Sequence, residues 1–369
     1  MSWVVGVIAS LAALWFVLWC SFWKRSRFRW VPSTGREEER RSAGVLRTVR
    51  FPATDGTTLE GWLLLPSGVA APPVIVMAPG LGGTKDGFLE SFAWRFVERG
   101  LAVLVFDYRC FGGSDGLPRH WVAPSRHRED YEAAIAYVRT ELAGAVDASR
   151  IALWGSSFSG GTALVTAARR DDVAAVVAQC PYLKTPPEIE PRGLSLARFV
   201  ALATLDMMRV FPPIYIPLFG RPGEWVFAPS AENPSKDDFD GGGGSEFWRA
   251  LPKPPLGGWE NRMLARGLAT LDEVAPMDEL TKVKCPVLLV AAERDDMVPV
   301  RFVEEAHARL VERSELVAFD CGHFDLYLGP FHEKSARIQA DFFVRKLDGG
   351  KSAGAERMTM EKCRDRVTT

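Results

Sequence analysis

Residues 151–165, IALWGSSFSGGTALV, join one apolar run to another through a short stretch of small residues. An apolar run that turns sharply into a second one is typical of a buried strand leading into a helix. Gly155, Ser157 and Ser159 are small residues at two-residue spacing, which allows the tight turn that exposes a nucleophilic hydroxyl at a strand end. We therefore predict a strand-to-helix elbow with Ser157 as its nucleophile; the alternative is an ordinary glycine-rich turn.

The sequence on both sides of this elbow alternates between strand-like and helix-like stretches. Helix-like patterns cover residues 126–142 and 300–313, and a hairpin around Asp55 and Gly56 precedes them. Continuous apolar strands that alternate with helices predict an α/β fold with a mostly parallel central sheet flanked by helices. The strand-like runs are VIVMAP, AVLVFD, RIALWG, VAAVVAQC, VLLVAAE and LVAF.

The composition is that of a globular protein with one large core. The chain has 369 residues, of which 47% are hydrophobic and 25% are charged. Its formal net charge of −1 argues against nucleic acid as a partner. The six cysteines are scattered without a C-x-x-C pair, so we expect reduced thiols. The sequence has no cluster of metal-ligating residues, and we expect neither a metal nor another cofactor.

The N-terminal stretch is apolar throughout. Residues 3–23 include no charged side chain, and a helix of that length spans roughly 30 Å, the thickness of a bilayer core. We predict a single transmembrane anchor in residues 1–23; a secretory signal peptide and a core helix are the alternatives. Basic residues follow the stretch and none precedes it, which predicts a membrane protein whose catalytic domain lies on the cytosolic side. These basic residues are Lys24, Arg25, Arg27 and Arg29.

Three further segments depart from the alternating pattern. Residues 24–44 are charged and lack an apolar period, so we predict a connector there, and residues 348–369 are expected to be a disordered tail. Residues 183–284 are rich in proline, glycine and aromatic residues and are too long for a simple crossover. We predict an inserted helical cap in this segment, with one helix over residues 194–210. The core then consists of residues 45–182 and 285–347.

A serine hydroxyl becomes a nucleophile when a base accepts its proton and an acid orients that base. Of the five histidines, His323 is the best candidate for the base, because it follows an apolar run in a loop that can reach over the sheet end. The acid is expected beyond VLLVAAE, where Asp295 and Asp296 stand side by side. One of the two should point into the cleft while the other caps the helix that begins near Val300, and we favour Asp295 for the triad. The alternatives are that Asp296 is the acid or that both serve only the turn and the cap.

Acyl transfer also needs N–H donors that stabilise an oxyanion. In an elbow, one donor is the N–H of the residue after the nucleophile, here Phe158. The other comes from a loop after an early strand, and PGLGG at residues 79–83 fits, with the Leu81 N–H as donor. A glycine-rich loop can instead bind phosphate, but neither G-x-G-x-x-G nor G-x-x-x-x-G-K-[ST] occurs. We therefore predict an oxyanion hole from Leu81 and Phe158.

The order of Ser157, Asp295 and His323, the elbow GSSFSGG and the PGLGG loop resemble the α/β-hydrolase superfamily over roughly residues 45–347. FDYRCFGGSDG and GHFDLY are similar to its capped group, which includes serine aminopeptidase-like, X-Pro dipeptidyl-peptidase-like and fungal polyketide-transferase-like proteins. The resemblance implies the α/β-hydrolase fold and a catalytic triad in this order.

The sequence departs from the superfamily's pattern at two positions. The oxyanion loop begins Pro79-Gly80, where members usually have His-Gly, so a side chain that often braces the loop is missing. The last small position of the elbow is Ser159 instead of glycine. The first departure puts the bracing of the loop in question, whereas a serine is small enough for the second.

These observations predict a membrane-anchored serine hydrolase that cleaves ester, thioester or amide bonds through an acyl-enzyme. An acyltransferase on the same triad and an inactive binding or scaffold protein of the same fold are the alternatives. The substrate is expected to be a small acyl or peptide molecule, and the oligomeric state stays open. Apolar side chains of the cap either contact an apolar acyl group or pack the cap on the sheet. They include Phe199, Leu205, Met207, Met208, Phe211, Tyr215, Phe219, Trp225 and Phe227.

Overall fold

The structure is a computed structural model, and the residues that it describes fall into several ranges. They are residues 38–186, 193–209, 212–218, 247, 250–252, 258–271, 273–295 and 297–347, together with 10, 13 and 15–17.

The core is built on one nine-stranded sheet. Its strands, in chain order, are β1 (Glu39–Arg41), β2 (Gly44–Pro52), β3 (Thr58–Pro66), β4 (Pro73–Ala78), β5 (Ala102–Phe106), β6 (Asp147–Ser156), β7 (Ala175–Gln179), β10 (Val287–Ala292) and β11 (Ser314–Phe319). They lie in the order β1-β2-β3-β5-β4-β6-β7-β10-β11. The six strands from β5 to β11 pair in parallel, and β1, β2 and β3 extend the sheet in antiparallel fashion.

The predicted hairpin forms between β2 and β3. Ala53 and Thr57 close its turn through a backbone hydrogen bond of 2.8 Å, and Gly56 adopts a positive φ of 81° that glycine accommodates without strain. Four of the six parallel strands, β4, β5, β7 and β10, are buried along their whole length. Burial on both faces explains why these strands are continuous apolar runs in the sequence and do not alternate.

Helices cover the sheet on both faces. α1 (Leu89–Val97) packs with the C-terminal helix α7 (Gly329–Leu347), and their Phe96 and Phe343 rings meet edge to face at 5.5 Å. α2 (Pro124–Thr140) packs with α3 (Phe158–Ala168). α6 (Val300–Leu310) follows β10 and contacts both β10 and β11. The α/β architecture, with a mostly parallel sheet between helices, is therefore as the sequence predicts.

The segment between β7 and β10 contains the described part of the insertion. It includes α4 (Leu194–Met208), the short strands β8 (Tyr215–Ile216) and β9 (Met263–Leu264), which pair in antiparallel fashion, and a 3₁₀ helix over Ala265–Thr270. The short helix α5 (Pro276–Glu279) leads back to the sheet. A buried ion pair holds α4 to the 3₁₀ helix: Asp206 accepts hydrogen bonds of 2.8 Å from both Nε and Nη2 of Arg266.

The structure describes only part of the predicted N-terminal connector and little of the predicted anchor. β1 lies inside the predicted connector and pairs with β2, so the end of that charged segment belongs to the sheet edge. Most of the uncharged stretch of the predicted anchor, residues 3–23, lies outside the described residues. The predicted tail, residues 348–369, and Asp296 lie outside them as well. In the part of the chain that the structure describes, we find no helix that is both long and apolar enough to cross a membrane.

Candidate active site

The predicted elbow lies at the carboxyl end of β6. The strand ends at Ser156 and α3 begins at Phe158, so Ser157 alone makes the turn, with φ 57° and ψ −123°. This backbone conformation is strained for a residue with a side chain, and such strain persists where the surrounding structure enforces it. The enforcing contacts are backbone hydrogen bonds of 2.8 Å, from Ser157 N–H to the Gln179 carbonyl and from Tyr182 N–H to the Ser157 carbonyl.

Glycines make the elbow sterically possible. A Cβ on Gly155 would lie 2.2 Å from the Ser159 carbonyl oxygen, and one on Gly161 would lie 2.1 Å from the Tyr182 carbonyl oxygen. Both distances are far below van der Waals contact. The lack of a side chain at Gly155 lets β6 lie close to α3, and the lack of one at Gly161 lets α3 lie close to the loop after β7. The small-residue spacing that identified the elbow in the sequence is thus a packing requirement.

The serines on either side of Ser157 are engaged in buried hydrogen bonds. Ser156 Oγ accepts from the Tyr327 hydroxyl at 2.6 Å. Ser159 Oγ lies 2.9 Å from the Tyr108 hydroxyl and 2.8 Å from that of Tyr131. Because Tyr131 donates its proton to a backbone carbonyl, Ser159 donates to Tyr131 and accepts from Tyr108. The serine that stands in place of the usual glycine therefore has a structural partner on each side.

Asp295 and His323 come together from the ends of two neighbouring strands. His323 Nδ1 lies 2.6 Å from Asp295 Oδ2, and both side chains are buried. The other carboxylate oxygen, Oδ1, accepts from the N–H groups of Met297 at 2.9 Å and Val298 at 2.7 Å. Both carboxylate oxygens thus have hydrogen-bond partners, which fixes the orientation of the imidazole. Nε2 is the imidazole nitrogen that does not bond to Asp295.

A cysteine also contacts this pair. Ligand atoms of Cys180, Asp295 and His323 all lie within 4.8 Å of one another, a grouping that a metal ion can use. Burial raises the pKa of the Cys180 thiol well above its usual range, and the neighbouring Asp295 carboxylate raises it further. Asp295 and His323 already bond to each other at 2.6 Å, and the second carboxylate oxygen accepts two backbone N–H groups. The grouping fits an acid–base pair better than a metal site.

The predicted oxyanion loop lies against the elbow. Gly83 N–H donates to the Gly80 carbonyl at 3.0 Å, which closes the loop into a turn. A Cβ on Gly80 would lie 3.3 Å from Ser157 Cβ, so the loop and the nucleophile are in near contact. Among the described residues, we find no acceptor for the backbone N–H of Leu81 or that of Phe158. Both donors are therefore available to a bound oxyanion.

A single cleft connects these elements. Ser157 and His323 both line it, together with Leu81 from the oxyanion loop. Its described lining includes no Asp, Glu, Lys or Arg side chain. The other large side chains along it are apolar or aromatic: Leu89, Phe247, Leu251, Trp259, Met297, Phe324 and Tyr327.

The cap residues proposed from the sequence have different places. Phe199 is buried within the protein, whereas Met207 and Met208 are exposed, and none of the three lines the described cleft. Phe211, Phe219, Trp225 and Phe227 lie outside the described residues. The cleft instead receives three insertion residues that sequence reasoning missed: Phe247, Leu251 and Trp259. In the sequence they are three of many apolar and aromatic residues within the segment 183–284, and nothing else distinguishes them.

Comparison with known proteins identifies the family. The model of the alpha/beta hydrolase fold matches residues 73–330, more than half of the chain. The chain therefore belongs to the α/β-hydrolase superfamily, as the resemblance of its motifs implied.

The relatives refine this placement. The chain is 33% identical over 301 residues to the quorum-quenching protein AidA of Acinetobacter baumannii, which covers 80% of this chain and 94% of AidA. It is 30% identical over 311 residues to the thiohydrolase apmlB of Arthrinium phaeospermum, covering 82% and 98%. The crystal structure of the alpha/beta hydrolase GrgF from a Penicillium species covers 82% of this chain and 99% of GrgF, with a TM-score of 0.69 and 25% identity. These similarities place the chain in the fungal polyketide-transferase-like group and support a hydrolase or acyltransferase of α/β-hydrolase type.

Proposed function

We propose that the protein is a serine hydrolase that acts on esters, thioesters or amides of an uncharged acyl group, with Ser157, His323 and Asp295 as its triad. The observation that carries the proposal is the 2.6 Å contact of His323 Nδ1 with Asp295 Oδ2 beside a cleft that Ser157 and His323 share. A buried carboxylate on one imidazole nitrogen raises the basicity of the other, which is what a general base for serine requires.

The reaction follows from this arrangement. Ser157 Oγ attacks the substrate carbonyl carbon, and its proton passes to His323 Nε2. The N–H groups of Leu81 and Phe158 stabilise the negative oxygen of the tetrahedral intermediate. When that intermediate collapses, the leaving alcohol, thiol or amine takes the proton from His323. Water then attacks the acyl-enzyme with His323 as the base, which releases the acid and restores Ser157.

The cleft favours an apolar acyl group. Trp259, Phe247 and Leu251 come from the insertion, and Phe324 and Tyr327 follow the loop of His323. An ionised carboxylate or ammonium next to these side chains would lose its hydration without a compensating partner among the described residues of the cleft. The likeness to apmlB, which is named a thiohydrolase, supports a thioester as the substrate bond.

The first experiment is labelling of the full chain with a fluorophosphonate, combined with hydrolysis of p-nitrophenyl and thioester substrates from acetyl to palmitoyl. We expect the probe to label Ser157. In Ser157→Ala we expect no labelling and a turnover lower by a factor of at least about 10³, as for loss of a triad nucleophile. The matched control is Ser156→Ala, because its hydroxyl is adjacent in sequence but accepts the hydrogen bond of Tyr327. Labelling that persists in Ser157→Ala and disappears in Ser156→Ala overturns the proposal.

Acyl transfer is the second candidate function. The specific observation is the similarity to GrgF, since a curated Penicillium protein named polyketide transferase grgF is 33% identical over 177 residues, 47% of this chain and 58% of that protein. An acyltransferase passes the acyl group from Ser157 to an alcohol in preference to water. Adding a primary alcohol during ester turnover distinguishes the two: ester product in large excess over acid indicates a transferase, and acid alone indicates a hydrolase.

Membrane anchoring is a separate part of the proposal. The uncharged sequence of residues 3–23 and the basic residues after it support a single span with the catalytic domain on the cytosolic side. We expect the full chain to remain in carbonate-washed membranes and a chain without residues 1–23 to be released. Recovery of the full chain in the carbonate supernatant contradicts the anchor. Protection of the catalytic domain from added protease in sealed right-side-out vesicles is expected for a cytosolic domain, and digestion contradicts that orientation.

A further inference from the structure

Lys85, two residues after the oxyanion loop, is a fully buried lysine. Lys85 Nζ lies 2.6 Å from Asp107 Oδ2 and 3.0 Å from Glu60 Oε1, and none of the three side chains reaches solvent. The backbone N–H of Lys85 donates to the other oxygen of Asp107, Oδ1, at 2.6 Å. Asp107 therefore holds Lys85 by both its backbone and its side chain.

The charges of this cluster balance across the sheet. Lys85 faces two carboxylates, and the second oxygen of Glu60 lies 2.7 Å from Arg50, a half-exposed residue on β2. Burial by itself lowers the pKa of Lys85, but the charges of Asp107 and Glu60 outweigh it and raise the pKa above the usual value. Lys85 is thus an ammonium. Removal of its charge takes the cationic partner at 2.6 Å from the buried Asp107 and leaves Glu60 with Arg50.

The surrounding loop is shaped for this cluster. A Cβ on Gly112 would lie 2.1 Å from Asp107 Oδ2, and one on Gly113 would lie 1.9 Å from Glu60 Oε1. The N–H of Gly113 instead donates to Asp107 Oδ2 at 2.9 Å. The two glycines of FDYRCFGGSDG therefore make room for the carboxylates that hold Lys85.

The cluster lies at the far end of the oxyanion loop. Residues 79–83 are tied at one end to β4, which pairs with β5 and β6, and at the other end to Lys85. Leu81 is only four residues from Lys85, and Gly80, which directly precedes Leu81, is in near contact with Ser157. The hydrogen bond of 3.0 Å from Gly83 N–H to the Gly80 carbonyl closes this short turn, so we expect a shift of Lys85 to move the Leu81 N–H as well.

We propose that Lys85 is a positioning residue for catalysis: its buried ion pairs with Asp107 and Glu60 hold residues 79–83 so that the Leu81 N–H faces the oxyanion. The inference rests on the proposed function. The Lys85 cluster braces the loop in a chain that has Pro79 where members of the superfamily usually have a histidine. If the role of the cluster is purely structural, a substitution that disrupts it lowers the stability but leaves the turnover per folded molecule unchanged.

The test compares the full chain with its Lys85→Met and Lys85→Arg variants. At a temperature where each is folded, we expect Lys85→Met to lower kcat on a p-nitrophenyl ester by about 10- to 100-fold with KM within about threefold, since misplacing one group by about 1 Å has an effect of this size. The affinity for an alkyl trifluoromethyl ketone, whose adduct with Ser157 carries the oxyanion, should fall by the same factor. Lys85→Arg, which keeps the charge, should recover part of both losses.

Two further variants keep the test decisive. Val138→Ala in α2 removes buried apolar contacts away from the cleft, so it should lower stability without lowering kcat per folded molecule. If Lys85→Met does not fold, Glu60→Gln removes one charge with little change in shape and should give a smaller loss of kcat and of ketone affinity. Equal fluorophosphonate labelling rates and equal kcat in folded Lys85→Met and wild type overturn the positioning role alone. A wild-type chain that is not labelled at Ser157 instead overturns the proposed function.

Discussion

Asp295 Oδ2 lies 2.6 Å from His323 Nδ1, while the second carboxylate oxygen of Asp295 is held by two backbone N–H groups. An asparagine at this position has one acceptor oxygen and one NH2 donor, so it cannot accept from both the imidazole and the backbone N–H groups, and the imidazole loses its preferred tautomer. We expect Asp295→Asn to lower kcat by about 10³- to 10⁴-fold with a smaller effect on KM. Ester hydrolysis measures this, with the exposed Asp171→Asn as control. Turnover of Asp295→Asn within tenfold of wild type would assign the acid elsewhere.

The elbow glycines give a steric prediction. A Cβ on Gly161 would lie 2.1 Å from the carbonyl oxygen of Tyr182, a backbone atom that cannot move aside easily. We expect Gly161→Ala to reduce the free energy of unfolding by about 1–3 kcal/mol, as overpacking does. Gly144→Ala is the matched control, because a Cβ there has nothing within 4 Å. Urea denaturation of both variants makes the comparison, and equal stabilities would contradict the close approach.

The hydroxyl of Ser159 gives a prediction about the departure from glycine. Its removal leaves the buried Tyr108 hydroxyl without the acceptor that lies 2.9 Å away, whereas Tyr131 keeps its bond to the Trp154 carbonyl. We expect Ser159→Ala and Ser159→Gly each to lose about 1–3 kcal/mol of stability, the usual effect of one unpaired buried polar group. If the glycine variant is as stable as wild type in thermal unfolding, the network has no net value.

His127 gives a prediction about pH. It is buried against Tyr108, with ring centroids 4.0 Å apart, and burial together with the nearby Arg109 and Arg126 lowers its pKa to about 3. The unfolded chain binds a proton at this histidine below pH 6.5 but the folded chain does not, so stability falls as the pH decreases from 6.5 towards 3.

The measurement is urea unfolding of wild type and His127→Phe between pH 7 and 5, where few carboxylates titrate. We expect the dependence of the unfolding free energy on pH to be less steep in the variant, by up to about 1.4 kcal/mol per pH unit at the lower end. Parallel profiles for the two proteins would show that His127 is protonated in the folded state as well.

The pair of Asp206 and Arg266 gives a prediction about the insertion. Asp206 also accepts from the N–H of Ile214 at 3.0 Å, so one carboxylate joins α4, the segment before β8 and the 3₁₀ helix after β9. We expect Asp206→Asn to loosen these elements and to speed hydrogen exchange in residues 193–218 while β6 and β10 stay protected. The exposed Asp171→Asn again serves as control. Unchanged exchange in the insertion would show that apolar packing alone holds it.

Much of the fold could be predicted because its signals are local. The observed helices Pro124–Thr140, Leu194–Met208 and Val300–Leu310 begin and end within a few residues of the predicted ones. Parallel strands buried on both faces must be apolar along their length, so each is visible as a run in the sequence. β1 was missed because an edge strand that is mostly exposed carries no apolar pattern.

The cleft could be predicted only in part. Ser157 follows from the spacing of small residues around it, which the close approach of β6 and α3 requires. Phe247, Leu251 and Trp259 reach the cleft through the path of the insertion, and no local pattern distinguishes them from residues that pack the cap.

The sequence by itself determined the alternating α/β order, the elbow at Ser157 and the chain order of the candidate triad, because each depends on neighbours within a few residues. The tertiary structure alone decided that Asp295 contacts His323 from 28 residues away, and that Lys85 is buried between Glu60 and Asp107, 25 and 22 residues away. The physical reason is strand pairing, which brings together segments that are distant in the chain. Asp295 and His323 follow the paired strands β10 and β11. Lys85 and Asp107 follow the paired strands β4 and β5, and Glu60 lies on β3, which pairs with the other side of β5.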